Sequence, residues 1–462
     1  MSQPLGACYA FMGLDNCMPM MHGSQGCTSF GLVLLVRHFK EAIPMQTTAM
    51  NEVSTILGGL ENIEQAILNI KKRANPSLIA IASTGLTETK GDDVDGYLNL
   101  IRKKHGETLT GTDIVYVSTP DYVGAFEDGW GKAVLAVVDA FAQPCAVRDD
   151  HLVNLLPGAH LTPADIDELR EMIEAFGLQA RVMPDISGSM DGHIPENFTP
   201  TTLGGTTPDA LRQLGAAKAT LAVGARMDAA AAAIEERCGV PYRVFDRLTG
   251  LAAVDDFLQY LSQLSGRPVP PKYRRQRSQL QDVMLDAHFW VGSKNMAFAA
   301  EPDLLYALTT TAAEMGAHVV AAVTTTHSRV LQGVPCNEVL VGDLEDLEMR
   351  AKAGGAQLLI THSHGRQAAE RLGVPLARVG IPMFDRLGAA HMLMVGYRGT
   401  RELINGWANT FLADEHQNTP QDWPLPEESR RAASGESTAA CGSSGCASNV
   451  APIDVVPDAV GA

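Results

Sequence analysis

Three things are scarce in this chain of 462 residues: paired cysteines, long apolar runs and positive charge. Its eight cysteines stand at irregular intervals without a CxxC pair, so they do not form a disulfide framework. Reduced thiols or cluster ligands are the expectation. No apolar run approaches the roughly 18 residues of a membrane span, the longest near the N-terminus being "GLVLLV". The first cation is Arg37, so a secretory leader's basic start is also missing. These absences predict a soluble cytoplasmic protein with no membrane partner. Lys and Arg number 36 against 53 Asp and Glu, a formal charge of -17 that disfavours phosphate backbones and predicts no nucleic acid partner.

What is present is a globular profile, 45% apolar and 19% charged. At roughly 150 residues per domain, the length predicts about three domains. Short apolar runs alternate with helical patterns and end in Gly, Ser, Thr, Pro or Asp clusters. That is the signature of repeated βα units, and it predicts an α/β fold of three Rossmann-like domains, each a mainly parallel sheet flanked by helices. The first, over 1–150, has strands at "PSLIAIAST" and "DIVYVSTPD" and helices over 62–72 and 91–104. The second, over 151–270, has strands at "HLVNLLPGA", "ARVMPDIS", "ATLAVGA" and "YRVFD". Its clearest helix has Thr162 as N-cap, Pro163 at the first position, Ile166, Leu169, Ile173 and Phe176 at helical spacing, and Gly177 as terminator.

The proline-rich, basic "SGRPVPPKYRRQR" marks a boundary before the third domain, over 271–415. That domain opens with the helical "SQLQDVMLDAHFW" and continues with strands at "NMAFAAEP", "HVVAAVTTT", "NEVLVGD", "AQLLITHS" and "ARVGIPMFD". Between two of them "EPDLLYALTTTAAEMG" reads as a helix ending at Gly316. After about Leu412 the pattern dissolves into Ser, Ala, Gly and Pro, which predicts a flexible tail over 416–462 in which Cys441 and Cys446 are free thiols.

The stretch "HGSQGCTSF" holds the cysteine of greatest interest. "TSFGLVLLVRHFKEAI" predicts a helix of about four turns, with Arg37, His38 and Lys40 near its end and Pro44 just beyond. Cys27 then lies at a helix N-terminus, where unpaired N–H groups favour a thiolate, and Gly23 and Gly26 permit close approach of a bulky inorganic group. Two readings stand side by side: an anionic sulfur ligand, or a small packed hydrophobe, as free cysteines often are. A zinc site from Cys8, Cys17, His22 and Cys27 is a third, at spacings that fit no standard zinc pattern.

Three other stretches carry weaker signals. "THSHGR", 361–366, follows a strand and could meet a cofactor or partner, or be ordinary loop. "TTLGGTTPDAL" sets paired glycines before a helix start, a setting for anions that matches no nucleotide fingerprint. "KYRRQR" reads as a basic patch or as a solvated helix face.

Taken together, "SQPLGACYAFMGLDNCMPMMHGSQGCTSF", "RHFKEAIPMQTTAMNEVSTILGG", "STGLTETKGDD", "TPDYVGAFEDGW", "DISGSMDGH", "RQRSQLQDVMLDAHFW" and "GIPMFDRLGAAHMLMVGYRGT" resemble the nitrogenase component 1 family from Ser2 to about Leu412. The resemblance implies a residue-by-residue test. The family's catalytic β-subunit binds its P-cluster through three cysteines, and at those positions this chain has Ser2, Cys27 and Gly85. Cys8 and Cys17 match no ligand position and are expected to be structural. One remaining thiolate fits the family's cofactor-assembly scaffold, which resembles the catalytic protein but shares a simpler [4Fe-4S] cluster between its subunits.

The resemblance therefore implies Cys27 as one metal ligand, no catalytic residue in the isolated chain, and an α2β2 heterotetramer with NifE, which brings the other ligands. It further implies an iron-molybdenum cofactor precursor held mainly on the partner, matured there by molybdenum and homocitrate insertion. The precursor donor NifB and the nitrogenase iron protein NifH are the transient partners it implies. The alternatives are a β-type subunit of a nitrogenase or nitrogenase-like reductase, and a cluster-free small-molecule-binding protein.

Overall fold

The computed structural model describes residues 1–417. The expected tail over 416–462, with Cys441 and Cys446, lies outside the described residues apart from its first two positions. Every strand of the described chain joins one of three parallel sheets. The first runs in the order β2-β1-β3-β4, built from β1 (Cys17–His22), β2 (Gln46–Thr47), β3 (Leu78–Ser83) and β4 (Asp113–Val117). Its helices are α1 (Gln3–Met12), α2 (Gln25–Phe39), α3 (Glu52–Leu57), α4 (Leu60–Ala74), α5 (Gly85–Lys90), α6 (Val94–His105) and α7 (Phe126–Phe141). "LIAIAS" of β3 is buried at all six positions, as a parallel strand covered on both faces requires. One cover is α4, whose Ile63, Ile67 and Ile70 follow helical spacing and are buried with Ile79 and Ile81.

The second sheet, β6-β5-β7-β8, uses β5 (Asp149–Pro157), β6 (Gln179–Val182), β7 (Ala217–Val223) and β8 (Tyr242–Phe245). Around it lie α8 (Pro163–Glu174), α9 (Pro208–Arg212), α10 (Asp228–Cys238) and α11 (Leu251–Ser265). Thr162 caps α8 as its sequence predicts, accepting from the Asp165 N–H at 3.0 Å, while the Asp165 carboxylate accepts from the Thr162 N–H at 3.1 Å. The same carboxylate also takes the N–H groups of Met394 and Val395, at 2.6 and 3.0 Å, and so ties this helix to the strap before α16. Burial pushes its carboxyl up to about 6 despite those donors.

The third sheet, β11-β10-β9-β12-β13, uses β9 (Asn295–Ala299), β10 (His318–Thr324), β11 (Val339–Val341), β12 (Leu358–Thr361) and β13 (Leu376–Arg378). Its helices are α12 (Pro271–Val291), α13 (Pro302–Glu314), α14 (Leu344–Ala353), α15 (Arg366–Leu372) and α16 (Gly396–Gln417). The described chain to Asp414 is one compact unit. Two glycines allow α1 to cross α7 at backbone contact: a Cβ on Gly6 would overlap the Phe126 carbonyl, and one on Gly129 the Gln3 carbonyl. Beside that crossing Trp130 is fully buried, and its indole N–H donates to the Pro157 carbonyl of β5 at 3.0 Å.

Two sequence expectations change, and one strand is new. The helix expected from Ser278 begins at Pro271, so "KYRRQR" lies on α12 from its second residue onward, with Tyr273 buried and Arg277 paired to Asp255 at 2.8 Å. The regular pattern continues past Leu412, because α16 buries Ile404, Trp407, Ala408 and Phe411 at helical spacing and runs to Gln417. Finally, "CMPMMH" is a strand at the heart of the first sheet. Pro19 is tolerated there because the short β2 pairs only with Met20 and Met21, leaving Pro19 with β3 as its one neighbour.

Candidate metal centre

The position of Cys27 follows from strand register. In the parallel pair β1 and β3, Cys17 stands opposite Leu78 and His22 opposite Ser83, so both strands end at the same level. The loops that follow, leading into α2 and α5, therefore emerge side by side at the carboxyl edge of the sheet, where open α/β sheets place their ligands. Gly23 is needed for that proximity, since a Cβ there would overlap the Thr84 hydroxyl. Gly26 does the opposite: a Cβ there would meet nothing nearer than Ser24 Oγ at 3.9 Å, so the space beside Cys27 is open.

Ser24 is the N-cap residue of α2, with extended backbone and no bond from its side chain to the helix backbone. Its hydroxyl instead donates to Cys27 Sγ at 3.4 Å. Cys27 is the third residue of the helix, and it is exposed. It is not the packed hydrophobe that its residue type allowed. The N–H groups of the first turn beside it lack intrahelical partners. An exposed thiol, an open flank and a helix N-terminus are a donor set that fits one corner of an iron–sulfur cluster.

The loop is clamped from beneath. The His22 carbonyl accepts from the hydroxyls of Thr84 at 2.9 Å and Thr87 at 3.2 Å. Its imidazole lies between Thr48 Oγ1, at 3.0 Å from Nδ1, and Asp92 Oδ2, at 3.4 Å from Nε2. Lys90 completes the line at 3.0 Å from Asp92 Oδ1. Burial lowers the His22 imidazole to about 4, with Asp92 pulling the other way, so His22 is neutral at physiological pH. Thr48 also takes the Gly23 N–H at 3.0 Å.

The other two positions in the three-cysteine comparison carry no thiol. Ser2 is the N-cap residue of α1, and Gly85 opens α5. A Cβ at Gly85 would overlap the carboxylate of Asp121, which fills the space a third thiolate would take. Cys8 and Cys17 are fully buried, and burial raises both thiols, Cys8 to about 12. They are core residues, as expected. Among the described residues no group of three His, Cys, Asp or Glu side chains could hold a metal ion, so the zinc alternative from Cys8, Cys17, His22 and Cys27 is not assembled.

The surface around the Cys27 edge is apolar where a finished protein surface would be polar. On α2, Phe30 and Val33 are exposed by 67% and 53%; on α3, Ile56 and Leu57 by 79% and 80%. Tyr122 and Val123, beyond the carboxyl end of β4, are exposed as well. Neither residue type nor spacing announced this face, because apolar positions on α2 and α3 look like core until the neighbouring sheet is in place.

The remaining signals resolve locally. The paired glycines Gly204 and Gly205 serve backbone packing rather than an anion, since Cβ atoms there would overlap the carbonyls of Gly188 and Gly13. In "THSHGR", Thr361 ends β12, and His362 and His364 line a partly open cavity. Among the described residues no helix is long and apolar enough to cross a membrane.

Comparison with known proteins identifies the family and the fold. Residues 2–412 match the family described as Nitrogenase component 1 type Oxidoreductase. The chain is 58% identical over 429 residues to the nitrogenase iron-molybdenum cofactor biosynthesis protein NifN of Bradyrhizobium diazoefficiens, covering 92% of this chain and 91% of that one. It is 50% identical to NifN of Rhodobacter capsulatus, covering 92% and 94%. Among solved structures, "Nitrogenase Cp1 at pH 6.5" superposes with a TM-score of 0.86 at 31% identity, covering 92% of this chain and 95% of that one. With its three parallel sheets and near full-length matches, the chain belongs to the nitrogenase component 1 family.

Proposed function

We propose that this chain is one subunit of a scaffold on which the iron-molybdenum cofactor precursor is matured, and that Cys27 gives one thiolate to a [4Fe-4S] cluster shared with a NifE-type partner in an α2β2 heterotetramer. The observation that carries the reading is that, among the described residues, the one exposed cysteine stands at a helix N-terminus, with exposed apolar side chains near it. One thiolate cannot hold a four-iron cluster, so the other ligands must come from the surface that covers this face. That surface is apolar as well, because exposed Phe30, Ile56 and Leu57 lose contact with water only against a partner of like character.

When bound, the cluster supplies one-electron chemistry. Everything else here belongs to the chain itself. Cys27 provides the sulfur, and Thr48, Thr84 and Thr87 hold the loop at His22 and Gly23. The covered apolar rim excludes water. Precursor binding, and its maturation with molybdenum and homocitrate, fall mainly to the partner subunit, with NifB delivering the precursor and NifH acting on the assembled complex.

The test is co-purification with the partner under anaerobic conditions. Cys27→Ala is expected to lose the iron and the electron paramagnetic resonance signal of the interface cluster; an unchanged cluster overturns the ligand assignment. The likeness to "Nitrogenase Cp1 at pH 6.5" favours a second reading, a β-type subunit of a reductase. Substrate reduction by the purified complex, without transfer of its cofactor to another protein, would establish that one instead.

A further inference from the structure

A cavity of about 440 Å³ lies where the three sheets meet. It is bounded by Phe30, Leu34 and His38 of α2, the turn between β5 and α8, and the carboxyl ends of β9, β10, β12 and β13. Its volume is that of a small-molecule site. The walls are largely apolar, with Leu34, Leu161, Leu304, Ile381, Met383 and Met394 among them. No lysine, arginine or cysteine lines it among the described residues.

Several polar groups in this apolar setting lack protein partners. Thr324 is 1% exposed, yet its hydroxyl makes no hydrogen bond, and His160 Nδ1 is likewise buried and unpaired. Native interiors leave few such atoms unsatisfied. Two further imidazoles have a defined tautomer. His38 Nδ1 accepts the Met383 N–H at 2.9 Å, and His362 Nδ1 accepts the His364 N–H at 3.3 Å, so in each neutral ring the proton sits on Nε2. Burial lowers both rings to about 4, which keeps them neutral at physiological pH. Each therefore brings one N–H donor without a formal charge.

We propose that this cavity is a binding site for a compact, uncharged organic molecule with an apolar body and one or two hydrogen-bond acceptors, of the aryl ketone or ester class. The Nε2–H donors of His38 and His362 and the Thr324 hydroxyl meet the acceptor end, and the leucine and methionine walls take the apolar body. The ammonium of Met1 at the wall is already paired with the Glu301 carboxylate, at 3.8 Å, so a phosphate or polycarboxylate would enter beside Glu301 and Asp343 with no free cation to balance it. A metal–sulfide guest would find no thiolate. Cys27 does not line the site, although Phe30 of α2 borders both the cavity and the exposed face.

The probe is 6-propionyl-2-(dimethylamino)naphthalene, a neutral aryl ketone whose fluorescence shifts to the blue on leaving water, titrated into the co-purified complex. We expect saturable blue-shifted emission with one probe per copy of this chain. Ala300→Phe, which fills the cavity from its wall, should weaken binding at least tenfold. Thr324→Val, which keeps shape and removes the hydroxyl, should weaken it by about 2–10-fold, the worth of one hydrogen bond. Absence of saturable binding, unchanged affinity in both variants, or displacement of the probe by citrate or inorganic phosphate overturns the proposal. Circular dichroism checks that Ala300→Phe is folded, and Thr324→Val decides alone if it is not. Cys27→Ala should leave probe binding unchanged, so failure here and failure of the scaffold reading are told apart.

Discussion

The rim of the first sheet and the junction of the three sheets are both built at the carboxyl ends of parallel strands, yet their surroundings are opposite. At the rim the chain leaves apolar side chains in water and a thiol in the open. At the junction apolar side chains enclose a space, and polar atoms within it lack partners. One helix joins the two: α2 presents Cys27 in its first turn, borders both places with Phe30, and buries His38 and Phe39 in its last turn. The difference shows how one architecture makes two kinds of site. An edge left uncovered by its own chain is a place for another chain, and an edge closed by three blocks is a place for a small molecule.

A charge introduced at each place should break this contrast most sharply. Leu304→Asp, at the junction, buries a carboxylate without a partner and should cost more than about 4 kcal/mol by chemical denaturation. Ile56→Asp, at the rim, should change stability by less than about 0.5 kcal/mol, yet abolish partner co-purification. A stable Leu304→Asp, or an Ile56→Asp that retains the partner, would erase the distinction.

Acid should act on both regions through buried histidines. His22 at the rim and His38 at the junction are held neutral, at about 4, against about 6.5 in an unfolded chain. Between those values the unfolded state takes up protons that the folded state refuses. Stability is therefore complete above about pH 6.5 and falls toward pH 4, by about 1.4 kcal/mol per pH unit for each fully buried ring. Asp165 opposes part of this, because its folded carboxyl is raised and keeps its proton up to about 6. Denaturation curves across this range should show a shallower slope for His38→Gln.

Cysteine substitutions give a smaller and more pointed contrast. Cys17→Ala should cost about 1–2 kcal/mol through lost packing and leave the iron content of the complex unchanged, whereas Cys27→Ala should do the reverse. The smallest effect belongs to position 85. Gly85→Cys must push the Asp121 carboxylate aside, at a cost of about 1 kcal/mol or less, and Asp121→Ala should remove that cost in a double-mutant cycle. Additive behaviour would show that Asp121 does not occupy the third thiolate's space.

Much of the frame was legible before the structure. Continuous apolar strands such as "LIAIAS", the Thr162–Pro163 helix start and the alternation of strand and helix each express local physics, and each appears where the pattern placed it. "CMPMMH" was not legible, because a proline argues against a central strand unless one knows that β2 is too short to reach it. Neither was the role of "GG" at 204–205, since an anion loop and a close backbone crossing ask for the same residue. Cys27 was read at a helix start, but whether it was buried depended on what packed against α2.

By itself, the sequence determined the three α/β blocks, the acidic character of the chain and the single cysteine at the helix N-terminus, because residue type and spacing act over a few neighbouring positions. Only the tertiary structure decided that the thiol is exposed within an apolar face, that Asp121 fills the space at Gly85, and that His38, Thr324 and His362 share one cavity. Those facts join residues far apart in the chain. Exposure and enclosure are properties of surfaces that exist only after the sheets have packed.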